Sequence, residues 1–379
     1  MQIPYRMMIP TDEVRSRVLA TLETGISYGG EETQYFEVEL ARWCGRRYGV
    51  TANSGTSAAL LALEAAGVGP GTEVILPANG YVGVLAPVMK LGAVPVLVDV
   101  DAETANILPD AVGAGMTDRT RAIIPTHMYG FPCDMDAVTA TVRRAEVFVL
   151  EDAAHALGAQ YKGRRAGGLG DAGLFSFSGK MITVFGPGGA LVTDDGPLAE
   201  AVSSLRDQGR ARSVGISFVR RLDAGWYDQL AIGYNMHLVE MCAAAGRVQL
   251  RLLPEFVAHR RRAADYYTAR FREAEVPLRL PPLRSWAEPC YLHYVVHTPL
   301  RDRLQARLKE QGIQASIHYP TPLHLLAPVR ERYGMRVGQF PRAEQLCREN
   351  LSLPVGPHMT VAMLEYVADA VVRFFSQDR

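Results

Sequence analysis

Val147-Phe148-Val149-Leu150-Glu151-Asp152-Ala153-Ala154-His155 is the stretch that decides the fold. An unbroken apolar run closes on two carboxylates. Such a run predicts a strand buried on both faces, over Val147–Glu151. Similar runs flank it at Glu73–Leu76, Val94–Val100, Ala122–Pro125, Leu174–Phe177 and Gly189–Thr193. Helical patterns at Ser57–Ala66, Val82–Leu91 and Met135–Arg144 separate the earlier ones. This alternation predicts an α/β fold with a mostly parallel sheet and right-handed crossovers. Ligands of open α/β sheets gather beyond the carboxyl ends of strands, where Glu151 and Asp152 fall. A carboxylate there can stabilise a cation held over the sheet. Its plainer role is to cap a following helix.

Beyond residue 195 the texture changes. Long helices are expected over residues 197–207 and 236–274, and a helix over 300–311. The segments 291–297 and 313–319 are strand-like, and a last helix covers about 360–376. The expectation is a large domain, residues 1–245, including a helix near 11–23, and a smaller α+β domain, residues 246–379.

Composition narrows the function. The 379 residues balance 40 basic against 40 acidic side chains, so no net charge draws the chain to nucleic acid or membrane. Five scattered cysteines form no CxxC pair, so neither a zinc site nor a disulfide framework is implied. The start lacks the apolar core of a signal peptide, and no membrane-length apolar run occurs, so a cytoplasmic location is expected. Only four of the 40 basic residues are lysines: Lys90, Lys162, Lys180 and Lys309. Chemistry that needs a side-chain amine has four candidates.

Two further stretches carry chemistry. Asn53-Ser54-Gly55-Thr56-Ser57 opens a helix, where free N–H groups favour an anion and Gly55 permits close approach. Plain N-capping by Ser54 or Thr56 is the alternative. In Ser176-Phe177-Ser178-Gly179-Lys180, running on to Gly186-Pro187-Gly188-Gly189, Lys180 lies between apolar runs. Desolvation there lowers a lysine's pKa and frees its amine, although an exposed, snorkelling lysine is the commoner case. Lys162 sits in a polar turn, Lys309 on a charged helix and Lys90 at a helix end. A phosphate cradle, a strand-end carboxylate and a desolvated lysine together are the parts of a pyridoxal phosphate (PLP) site. The lysine supplies the Schiff base, and the carboxylate keeps the pyridine nitrogen protonated.

The sequence also resembles the DegT-like sugar aminotransferases, PLP enzymes of fold type I, from about residue 9 to 375. The likeness rests on Tyr35-Phe36-Glu37, Asn53–Ala59, Gly69–Pro77, Pro125–Gly130, Glu151–Gly158, Ser176-Phe177 with Gly179-Lys180, Gly233-Tyr234-Asn235, His318-Tyr319-Pro320 and Pro322-Leu323-His324. The resemblance implies a PLP-dependent transferase fold of type I, with a seven-stranded type of sheet. It implies that Lys180, Asp152 and His155 are catalytic, with Asp152 on the pyridinium nitrogen and His155 near the 3-hydroxyl. Tyr81 stacks on the ring, and Gly55, Thr56 and Ser176 contact the phosphate. Asn235 reaches the phosphate in a neighbouring subunit, and His318 and His324 border that neighbour's site. A homodimer with shared active sites follows.

Three departures stand out, one of them Pro187 in place of the usual acidic residue of the glycine turn. Many relatives place the lysine five residues after the serine, where this chain has Met181. Counted back from Gly186-Pro187-Gly188-Gly189, Lys180 is in register, and we infer a one-residue deletion between Phe177 and Gly179. The alternative gives Met181 the catalytic position. In addition, Asn235-Met236-His237 replaces Asn-aromatic-Arg, which bears on how an acidic substrate or donor is held near His237. The implied activity moves an amino group from glutamate or glutamine to a keto-sugar, nucleotide-linked, in amino-sugar or natural-product biosynthesis. Alternatives are a keto-cyclitol or aminoglycoside acceptor, a PLP-dependent sugar dehydratase, or a non-catalytic regulator.

Overall fold

The computed structural model describes residues 1–8, 10–142, 146–211 and 228–377. Helices α1 (Asp12–Glu23) and α2 (Glu31–Trp43) precede β1 (Tyr48–Ala52). There follow α3 (Gly55–Ala65), β2 (Glu73–Pro77), α4 (Val82–Lys90), β3 (Val94–Val98), α5 (Pro109–Gly115), β4 (Thr120–Ile123), α6 (Met135–Val142) and β5 (Phe148–Asp152). A short hairpin, β6 (Gln160–Tyr161) and β7 (Arg164–Arg165), leads to β8 (Ala172–Ser176), β9 (Gly189–Thr193) and α7 (Gly196–Arg206). Arg144, the expected end of the sixth helix, lies outside the described residues.

The central sheet has seven strands in the order β1-β9-β8-β5-β4-β2-β3. Only β9 runs against the others. Strands β2 and β9 are buried along their whole length, as their unbroken apolar runs predict. One strand of this sheet escaped the sequence. Tyr-Gly-Val-Thr-Ala, at β1, has no continuous apolar run: Gly49 and Thr51 interrupt it, and buried Thr51 is satisfied by donating its N–H and hydroxyl to Glu37 Oε1 at 2.8 and 2.7 Å. Phe36, Phe175 and Phe177 are fully buried in the layer between this sheet and α2, each contributing about 2–3 kcal/mol.

The C-terminal part comprises α8 (Glu240–Glu273), β10 (Ala287–Glu288), β11 (Tyr294–His297), α9 (Arg301–Glu310), α10 (Ala327–Tyr333), α11 (Pro341–Glu349), β12 (Asn350–Leu353) and α12 (Val361–Gln377). The long helix starts at Glu240 rather than 236. The backbone before it is taken by other partners: Asn53 N–H donates to Met236 O at 2.9 Å, and Glu240 N–H to Ser27 O at 2.8 Å. The segment 313–319 forms no regular strand. It makes isolated bridges, Ile3 with Ile313 and Ser316 with Ser352, while β11 pairs with β12. Helix α8 runs unbroken through residue 245. Its Leu250, Leu253 and Val257 pack in the core of the large unit, and its Ala263, Ala264, Tyr267 and Phe271 in that of the small one. Among the described residues no helix is long and apolar enough to cross a membrane.

Candidate active site

Four segments meet at the carboxyl ends of the parallel strands: Asn53–Ser57 after β1, Asn79–Tyr81 after β2, Asp152–His155 ending β5, and Ser176–Lys180 ending β8. The start of α3 forms a cradle. Ser54 caps it, its Oγ accepting from Ser57 N–H at 3.0 Å. The N–H groups of Gly55 and Thr56 come before that bond and belong to the set a helix leaves unpaired. Both capping and anion binding are therefore served. A Cβ on Gly55 would stand 2.9 Å from Ser176 Cβ, so glycine is what lets the helix start seat against the end of β8. A Cβ on Gly83 would likewise meet Thr56 Oγ1 and the Tyr81 ring, each at 2.8 Å.

The two acids of β5 point to opposite faces, as successive residues of a strand must. Glu151 accepts from the Gly167 amide, from Leu169 N–H at 2.8 Å and from Gly170 N–H at 3.2 Å. It also meets His127 Nε2 at 2.7 Å. Cys133 N–H donates to His127 Nδ1 at 2.9 Å, which leaves the ring proton on Nε2, facing Glu151. Burial would raise the Glu151 carboxyl, but these donors outweigh it and hold it below its usual range. Asp152 is almost as buried and has two donors, Ala154 N–H at 3.0 Å and Thr126 Oγ1 at 3.2 Å. Burial wins there, and the carboxyl is pushed up despite nearby Lys180.

Lys180 follows Gly179, which takes a left-handed φ of 59°. Its side chain is half-buried, and no hydrogen bond or ion pair ties it among the described residues. Burial, then the neighbouring Arg6, lower its pKa to about 8, against the pull of Asp152. Met181 turns the other way, into the apolar core with Phe177 and Ile182. Lys90, Lys162 and Lys309 are all exposed.

Around Lys180 stands an aromatic wall. His155 is buried, with Nε2 3.2 Å from Tyr319 Oη and Nδ1 without a partner. His293 stacks on His318 at 3.8 Å and meets His155 edge-on at 5.1 Å. Burial, reinforced by Lys180 and Arg6, keeps these three imidazoles neutral. Tyr5 donates its hydroxyl to His293 Nδ1. Tyr81, 56% exposed, stands beside Tyr319 with ring centres 5.7 Å apart. Sequence reasoning missed Tyr5, Arg6 and His293. A histidine at the head of an apolar strand was a usable signal for His293, whereas nothing local marks Tyr5 or Arg6.

The remaining candidates lie apart. Asn235 is exposed, bridging Asp207 through the backbone. His237 Nε2 lies 3.0 Å from Asp207 Oδ1, its ring stacked on Tyr28. His324 is buried against Glu344 and Phe340 and makes no contact with the Lys180 group among the described residues.

These residues suit PLP. The cradle offers unpaired amides, His155 an unpartnered ring nitrogen, and Asp152 a carboxylate short of donors. The DegT/DnrJ/EryC1/StrS aminotransferase family model matches residues 9–372. The chain belongs to this family. It is a PLP-dependent aminotransferase. It is 37% identical to the dTDP-3-amino-3,4,6-trideoxy-alpha-D-glucose transaminase of Streptomyces venezuelae, over 95% of this chain and 91% of that one. S. venezuelae DesV, solved in complex with a ketimine intermediate, superposes with a TM-score of 0.88 at 36% identity, covering 96% of this chain and 94% of its own. Streptococcus pneumoniae Spr1654 in its PMP-form gives 0.90 at 25% identity, covering 100% and 98%.

Proposed function

We propose that this enzyme transfers an amino group from glutamate or glutamine to a nucleotide-linked keto-sugar, as one subunit of a homodimer. The observation that carries the reading is Lys180: half-buried, unpaired, with its pKa lowered to about 8, close to Asp152. The dTDP-linked amino sugar in the name of the S. venezuelae relative supports a nucleotide-linked acceptor. The dimer is supported by Leu230, Ile232 and Val239. They flank Asn235 in sequence and expose apolar surface that a second copy would cover.

PLP, when bound, supplies the electron sink for carbanion chemistry. The amides of Gly55 and Thr56 and the Ser176 hydroxyl would bind its phosphate. The Asp152 carboxylate would hold a proton on the ring nitrogen, and that cation would offset the burial of the acid. The open Nδ1 of His155 would orient the 3-hydroxyl, and Tyr81 would cover one ring face. The Lys180 amine takes the proton from the donor Cα and returns a proton on the acceptor side. Neutral His155, His293 and His318 keep further positive charge away from that amine.

The test is a panel of nucleotide-linked keto-sugars and free keto-cyclitols, each with glutamate and with glutamine, followed by mass spectrometry. An aminated nucleotide sugar is the expected product. Turnover of cyclitols alone would overturn the acceptor assignment. Absence of 2-oxo acid release from both glutamate and glutamine would overturn the donor assignment. A monomer by sedimentation at micromolar concentration would remove the shared site.

A further inference from the structure

Residues 3–6 form an arm laid on the C-terminal unit. Ile3 exchanges backbone hydrogen bonds with Gly312 and Gln314, each at 2.9 Å. Tyr5 N–H donates to Gln314 Oε1 at 3.2 Å, and His358 Nε2 donates to Pro4 O at 3.1 Å. The Tyr5 hydroxyl meets His293 Nδ1, and its ring lies against both His293 and His318, with ring centres 6.0 and 5.5 Å away.

The arm delivers Arg6 to the site. Its guanidinium lies 5.8 Å from the centre of the Tyr5 ring. On the other side it faces Gly179, where a Cβ would stand 3.1 Å from Arg6 Nη1. The cation therefore lies against the residue that precedes Lys180. Among the described residues no carboxylate pairs with Arg6, and no hydrogen bond occupies its donors. Its half-buried position lowers its pKa, the mark of a charge losing solvation. A guanidinium so placed, beside Lys180 and neutral imidazoles, lacks an anion. None of the described residues supplies one, so the anion comes with a ligand.

Which anion follows from position. The cofactor phosphate has its own seat at Gly55, Thr56 and Ser176. A donor amino acid must bring its Cα within reach of the Lys180 amine, and its α-carboxylate is bonded to that same carbon. We propose that Arg6 binds the α-carboxylate of the amino donor. This rests on the aminotransferase reading above. The same contact serves glutamate and glutamine, which share that carboxylate and differ beyond it. A flat, forked guanidinium suits a carboxylate, and it orients the Cα–H bond towards the base as well as adding affinity.

The test uses the cofactor-loaded protein and α-methylglutamate, which cannot lose an α-proton, titrated by calorimetry. Arg6→Gln is expected to weaken binding roughly 10- to 100-fold, and Arg6→Lys to restore most of it. If Arg6→Gln does not fold, Arg6→Met replaces it. Equal affinity in wild type and variant, including no binding to either, overturns the proposal. A parallel titration with dTDP separates the remaining anion. Loss of dTDP binding with α-methylglutamate unaffected would assign Arg6 to the nucleotide and also overturn it. The aminotransferase reading is judged apart, by 2-oxoglutarate released from glutamate by the wild-type enzyme, and it can survive the failure of Arg6.

Discussion

Glu151 and Asp152 are neighbours on one strand and both are buried, yet their surroundings drive them in opposite directions. Glu151 faces the inside of the sheet layer, where one imidazole and three amides surround it. Asp152 faces the open ends of the strands with two donors and an unpaired lysine nearby. The difference shows that burial alone does not set the state of a carboxylate. The supply of donors does. Glu151 is complete within the protein. Asp152 is left incomplete, and a cationic ring nitrogen completes it.

The largest expected effect comes from removing the cation that now faces Asp152. Lys180→Ala should lower transamination by at least about 10³-fold and abolish the absorption band of covalently held cofactor. Retention of that band would move the amine elsewhere in the chain. Next, Asp152→Asn should cut kcat roughly 10²- to 10³-fold while leaving the cofactor-free protein at least as stable as wild type in denaturant. Glu151→Gln should invert that pattern. Unfolding free energy should fall by about 3–5 kcal/mol, with kcat of the folded fraction nearly unchanged. If both substitutions hit the same property, the contrast between the two acids is wrong.

The acids also differ in pH dependence, measurable on cofactor-free protein. Glu151 has a lowered folded pKa, so its stabilisation is present above its ordinary value of 4.5 and is lost as pH falls through the folded one. Asp152 has a raised folded pKa, so its contribution is complete below its ordinary value of 3.8 and is lost as pH rises through the folded one. Unfolding curves of Glu151→Gln and Asp152→Asn against pH should therefore depart from wild type in opposite directions. The smallest effect is on the lysine itself. With its pKa near 8, Lys180 should react with an amine reagent at lower pH than the three exposed lysines, and Arg6→Gln should move its midpoint upward. Mass mapping of four lysines decides it.

How much of this was legible in the sequence depends on how locally each part is encoded. Lys180, Asp152 and the Gly55 helix start each lie in a short stretch whose apolar flanks, glycine and capping serine announce the local structure. The strand ends then bring them together because the sheet is parallel. Strand β1 was hidden because Gly49 and Thr51 interrupt its apolar run, and Glu37, which satisfies buried Thr51, lies 14 residues earlier. The helix start at 240 was hidden because tertiary hydrogen bonds claim the backbone of 236–239. The split between Glu151 and Asp152 follows from the two-residue period of a strand, but the partners of Glu151 come from loops 16 to 24 residues away. Tyr5, Arg6 and His293 left no joint signal, since Tyr5 and His293 are 288 residues apart.

That separation has a consequence for the order in which the site is built. The cradle, the acids and Lys180 belong to the first half of the chain and can assemble once β9 exists. Tyr5 and Arg6 are made before any of these, yet Gly312, Gln314 and His293, which hold the arm, emerge from the ribosome hundreds of residues later. During synthesis the arm has nothing to grip. The wall beside Lys180 is thus closed by residues that wait for partners made nearly three hundred positions after them.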